Sequence, residues 1–185
     1  MRFIPRWLKV VMMTAALGTG TVWFGPSSAM GQDVAVGTAS ATVLATLSVT
    51  ATSPLAFGTV YQGVAKVIPK NDANAGVFTL SGQATSQVTI YMQMPEYLQG
   101  PGNDRMVVAF GTTDIQIDTT ANVNPATPGA GGYANRDPHN LPTVTLRALD
   151  GSAHVFLGGK VIPSVNQAAG AYSADIVVTV AYNGS

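Results

Sequence analysis

The chain has 185 residues, 46% of them hydrophobic, with nine Lys and Arg against nine Asp and Glu and no cysteine. That is enough apolar material for one core, and it excludes a disulfide scaffold, a lipid-modified cysteine and thiol chemistry. Charge is sparse and unclustered, so neither nucleic acid nor an anionic membrane has an electrostatic footprint here.

Arg2, Arg6 and Lys9 precede an apolar run over residues 10–24. Gly25-Pro26 break that run, and Ser27-Ser28-Ala29 supply small residues. This order predicts a secretory signal removed as residues 1–31, with the cut after Ala29 or after Gly31. A membrane anchor needs about 20 apolar residues. The run is shorter and is diluted by Thr14, Gly18, Thr19, Gly20 and Thr21. The expectation is therefore an exported protein, in the periplasm or at the bacterial surface, with no stable membrane anchor after cleavage. Residues 32–185 then form a single domain with a mildly acidic balance.

Beyond the leader the pattern is strand and turn, rich in Val and Thr. Apolar or alternating runs fall at 42–49, 55–60, 64–68, 77–80, 87–92, 106–110 and 114–118. Asp150-Gly151, between 143–148 and 154–157, predicts a hairpin. The last run alternates most clearly: Tyr172, Ala174, Ile176, Val178, Val180 and Tyr182 share one face of a single half-buried strand. Roughly nine short, mostly antiparallel strands predict an all-β, immunoglobulin-like β-sandwich, with a closed barrel as the alternative.

Residues 119–142 interrupt the rhythm with Pro125, Pro128, Pro138 and a glycine cluster at 129–132. They read as a long surface loop, either mobile or binding. Tyr133, Arg136 and His139 are its candidate contacts to a sugar or a neighbouring subunit. Phe57, Phe78, Phe110, Phe156 and Tyr91 lie in strand patterns and read as core, whereas Tyr97 and Tyr133 read as loop aromatics.

Three blocks carry a resemblance: residues 39–50, residues 55–60, and residues 167–172 running into 178–183. Together they resemble an exported bacterial domain family of unknown function with a pilin-like fold. More distantly the chain resembles chaperone–usher pilins, whose sandwich lacks a strand and borrows one from the next subunit. That likeness implies self-association into filaments, a periplasmic chaperone and an outer-membrane usher as partners, and Val34 and Val36 as donor-strand anchors. It also implies that Tyr172, Ile176, Val178, Val180 and Tyr182 form the closing strand. The chain departs from those pilins in lacking a disulfide and in extending Gly184-Ser185 past the terminal aromatic pair. Residues 33–50 are thus either a donor segment or the first strand of a complete sandwich.

Signals for chemistry are thin. His139 lies near Asp137, and His154 follows the Asp150-Gly151 turn, where a surface histidine is the expectation. There is no Gly-x-Ser-x-Gly elbow, no His-Glu-x-x-His and no calcium-loop spacing, so no catalytic residue, metal or cofactor is expected. The expected function is non-enzymatic: a pilin-like structural subunit assembling by strand pairing. The rival is a monomeric, adhesin-like module that binds carbohydrate or a surface.

Overall fold

The computed structural model describes residues 38, 40–120, 122–129 and 132–184. The expected leader at 1–31 and the candidate anchors Val34 and Val36 lie outside the described residues. Twelve strands follow in chain order: β1 (Ser48–Ser53), β2 (Lys66–Ile68), β3 (Gly76–Ser81), β4 (Gln87–Gln93), β5 (Tyr97–Gln99), β6 (Arg105–Ala109), β7 (Ile115–Asp118), β8 (Tyr133–Arg136), β9 (Val144–Thr145), β10 (Ser152–Leu157), β11 (Gly159–Ile162) and β12 (Val177–Tyr182). All the pairings among them are antiparallel. The fold is all-β and sandwich-like.

Three sheets result, with strand orders β1-β3-β10-β7-β8, β2-β11-β6-β5 and β12-β4-β9. Alternation decides which side chains meet. Through β4 every second residue is buried, which turns Val88, Ile90 and Met92 inward. Phe78 and Leu80 of β3, Ile115 and Ile117 of β7, and Ala153, Val155 and Leu157 of β10 join them in one core. The five-stranded and the three-stranded sheet are therefore two layers around common packing. Each fully buried Val, Leu or Ile there contributes about 1.5–3 kcal/mol.

The central strand β10 is covered on both faces, since His154 and Phe156 on its reverse side are 4% and 0% exposed. One residue, Gly158, separates it from β11, so a nearly continuous run passes from the five-stranded to the four-stranded sheet. There Met106, Val108 and Val161 build a second, smaller core. Phe57, Val60, Leu98, Phe110 and Tyr172 pack on it partly buried.

Several expectations change. Among the described residues the strand count is twelve rather than about nine, because β5, β8 and β11 are short and carry weak apolar patterns. Tyr97 and Tyr133 lie in strands, and Tyr91 is 68% exposed because it takes the outward phase of β4. The Asp150-Gly151 turn exists and its flanks bond once across it, with Gly151 N donating to Arg147 O at 2.9 Å and Arg147 N to Ser152 O at 3.0 Å, but no ladder continues between β9 and β10. β9 instead pairs with β4, and Leu146 N continues that pairing to Ser86 O. β10 pairs with β3 and β7. The first strand runs through 48–53 rather than 42–49, and 55–60 form no strand.

The 119–142 segment is also more than a loop. Its residues 133–136 are β8, paired to β7 through Ile115↔Arg136 and Ile117↔Tyr133. Gly132 packs so close that a Cβ there would sit 1.8 Å from the Ile117 carbonyl oxygen. The glycines that suggested slack are needed for contact.

Candidate functional site

β1 and β12 are edge strands of different sheets, and they pack beside one another with no ladder between them. β1 continues into residues 54–62, which form no strand. Residues 168–176 lead into β12 with only an isolated bridge, Ser173 to Gln99. Between these two stretches lies a groove of about 980 Å³. Its floor is the second core, Met106, Val108, Phe110 and Val161, and its walls carry Phe57, Val60, Tyr172 and Ile176.

The main chain of the walls is under-used. Among the described residues, the N–H groups of 57–61 and of 174–176 meet no acceptor. Unpaired main chain beside an apolar floor is a template for an added extended segment. The two walls are not equal templates. Gly58 has φ +60° and a bend follows at Thr59, whereas 171–176 run straight into β12.

A polar knot fastens the second wall. Asp104 Oδ2 lies 2.5 Å from the Tyr172 hydroxyl and accepts from Gln167 Nε2 and Ala168 N, both at 2.8 Å. Gln167 is 4% exposed, and its Oε1 accepts from Ser164 N at 3.0 Å. The Tyr172 bond first, then the Ala168 N–H, hold the Asp104 carboxyl below its ordinary range. Desolvation, then Asp104 itself, push the Tyr172 phenol up. The knot is possible because residue 100 is glycine: a Cβ there would lie 2.2 Å from Tyr172 Cε1.

Of the residues singled out from the sequence, Tyr172 and Ile176 line the groove. Val178, Val180 and Tyr182 pack half-buried on the main core. Tyr182 also anchors the other end of β12, its hydroxyl accepting from Gln83 N at 2.6 Å and lying 2.7 Å from Ala45 O. The Tyr133–Arg136–His139 set is not gathered into one site. Tyr133 packs half-buried on the main core with the Arg136 guanidinium 5.7 Å from its ring centre, while His139 turns to Asp137 at 3.2 Å.

His154 is not a surface histidine. Burial pushes its pKa down against the pull of Asp118 and Asp150. Its Nδ1 lies 3.2 Å from Thr79 Oγ1, which lies 2.7 Å from Thr52 Oγ1. Asp118, directly across on β7, uses its carboxylate on Thr120 N, Thr120 Oγ1 and Gly129 N instead. A nucleophile, base and carboxylate bonded in series is therefore not formed. Among the described residues, no three His, Asp or Glu side chains gather as metal ligands.

Nothing in the sequence assigned Asp104, Gln167, Phe57 or Val108 to a site: Phe57 reads as core, Val108 as part of a strand and Gln167 as part of a family block. Gly100-Pro-Gly-Asn has the composition of a turn, but nothing local tells that Asp104 reaches a residue 68 positions later.

A family described as a domain of unknown function (DUF4402) matches residues 27–182. No curated protein and no solved structure matches the chain.

Proposed function

The chain belongs to the DUF4402 family, and on that footing we propose that it is an exported, pilin-like structural subunit that assembles by strand pairing. Its sandwich is of the immunoglobulin-like, pilin-like kind, one strand short along the seam between β1 and β12. The carrying observation is the groove: an apolar floor between two edge strands, with wall N–H groups left open. The inserted segment is residues 33–40 of a second copy, with Val34 and Val36 on one face as anchors. A periplasmic chaperone would hold the open seam before assembly, and an outer-membrane usher would pass the subunit outward. The reading needs no enzymatic step and no cofactor.

The test uses the chain as exported, without residues 1–31. Negative-stain imaging and size exclusion should show ladders or filaments for the wild type, and none for Val34→Asp with Val36→Asp. A labelled peptide of residues 32–41 should bind the double variant, whose groove is intact. A wild type that stays monomeric at high concentration with its export partners present, and that binds no peptide, overturns the proposal.

The rival reading has one observation in its favour. Tyr97 is 44% exposed on the outer face of β5, with the Arg105 guanidinium 5.9 Å from its ring centre, an arrangement on which a sugar ring can stack. A glycan-array signal lost in Tyr97→Ala, from a protein that stays monomeric, would favour the binding module.

A further inference from the structure

The groove runs from the seam where β1 and β12 touch to Tyr61, which lines it and is 72% exposed, beside the point where residues 61–64 meet residues 163–167. At that point Gly63 N donates to Ser164 O at 3.0 Å and Gln62 Nε2 to Gln167 O at 2.6 Å, which fixes two turns as one tip. The tip shows three large apolar side chains to solvent: Tyr61, Val64 and Val165 are 72%, 57% and 75% exposed. Tyr61 also lines the groove, so tip and groove are continuous.

The opposite pole is where Tyr182 bonds to Ala45 and β1 begins. The run β10–β11 spans the distance between the poles. Ser152 at its start pairs with Ser81, next to the Gln83 that Tyr182 holds. Ile162 at its end stands just before Ser164. At this second pole Val43 and Leu44 are 92% and 43% exposed.

We infer that the Tyr61–Val64–Val165 tip is the seat for the Val43–Leu44 pole of the next copy, so that subunits stack head to tail with their bodies in contact. The inference rests on the strand-insertion reading and adds a second surface to it. If Val34 and Val36 of one copy lie in the groove of another, the chain leaves it at the end where Tyr61 reaches solvent. Only six residue steps then separate Val36 from Thr42, a reach of about 20 Å at full extension. The donor's Val43–Leu44 pole is thereby held at the mouth of the groove, against the apolar tip. Both surfaces are apolar and uncharged, so their contact removes hydrophobic area from water with no ion left unpaired. A contact between unlike patches on identical copies does not close on itself and propagates as a filament.

The test compares the wild type with Val64→Ser and Val165→Ser combined, and separately with Val43→Ser. Binding of the 32–41 peptide, followed by fluorescence anisotropy, should stay within about twofold of wild type in both, because none of Val43, Val64 and Val165 lines the groove. The concentration at which filaments appear, followed by sedimentation, should rise at least about tenfold in both. Filament formation at wild-type concentrations in either variant overturns the inference and leaves strand insertion standing. A wild type that neither binds the peptide nor assembles overturns the strand-insertion reading and this inference together.

Discussion

The Tyr172 hydroxyl lies 2.5 Å from Asp104 Oδ2, tying the stretch that enters the last strand to the turn between β5 and β6. With the bonds of Gln167 and Ala168 to the same carboxylate and the Ser173–Gln99 bridge, this bond holds a groove wall to the sheet that forms the groove floor. Tyr172→Phe should keep the ring in place while removing one of the three bonds that Asp104 makes to Tyr172, Gln167 and Ala168. Gly100→Ala should displace the ring itself, since the added carbon would fall 2.2 Å from it. Both variants should lower the melting temperature and weaken 32–41 peptide binding, Gly100→Ala more strongly. Binding unchanged in Gly100→Ala would show that the knot does not position the wall.

Acid should act on the protein in two steps. The first is His154, whose pKa burial lowers from 6.5. The unfolded chain takes up the proton more readily than the folded one. His154's contribution is therefore full above pH 6.5 and falls as the pH drops from there toward its folded value. The second step belongs to Asp104, Asp72 and Asp150, whose hydrogen bonds hold their carboxyls below the ordinary 3.8. Their contribution is present above that value and is lost as the pH falls through the lowered ones. Thermal melts across pH should show a slope beginning near 6.5 that is absent in His154→Asn, and a second decline below about 4 in both proteins. A His154→Asn curve parallel to wild type between pH 7 and 5 would mean that the imidazole is not the source of the first slope.

Much of the fold is legible in local pattern. The alternation of 87–92 and 114–118 marks β4 and β7, because a strand half in and half out of a core must repeat every two residues. The final run is split by its surroundings. Residues 177–182 find β4 as a partner and become β12, while 172–176 carry the same alternation but border the groove and have no ladder. Pairing is the non-local part. Asp150-Gly151 makes a turn as expected, but whether its flanks pair is decided by β3, β4 and β7, far off in sequence. The groove is illegible for the same reason. Phe57, Val108 and Val161 come from three distant segments, and nothing local to any of them signals the others.

Val178 tests the closing strand. It sits opposite Met92 in the β12–β4 ladder and packs half-buried against the main core. Val178→Asp would place a carboxylate there without a partner, at a cost of about 3 kcal/mol or more. Export followed by a sharply lowered midpoint in urea is the expected outcome. Melting at the wild-type temperature would show that β12 does not close the core.

The segment after β7 separates a strand from a loop. Asp118 is fully buried, and its carboxylate takes the Thr120 N–H and hydroxyl and the Gly129 N–H. It thus gathers both ends of the turn that returns the chain to β8. Asp118→Ala would remove the acceptor from these part-buried donors, at about 1 kcal/mol. Removal of 122–128 with a short Gly-Ser bridge acts differently. Loop-closure entropy changes only slowly with length, and β8 keeps its pairing to β7. That deletion should leave a cooperative melt close to wild type. Extending it to residue 135 removes most of β8, uncovers the edge of β7, and should cost stability visibly in the same melt. Gly132→Ala is the point version of the longer deletion, because its Cβ would drive into the Ile117 carbonyl and part the two strands. Hydrogen exchange at Ile115 and Ile117 reads the outcome directly. Both amides should lose protection in Gly132→Ala and in the longer deletion and keep it in the shorter one. Equal protection in all three would mean that β8 contributes nothing to the sheet.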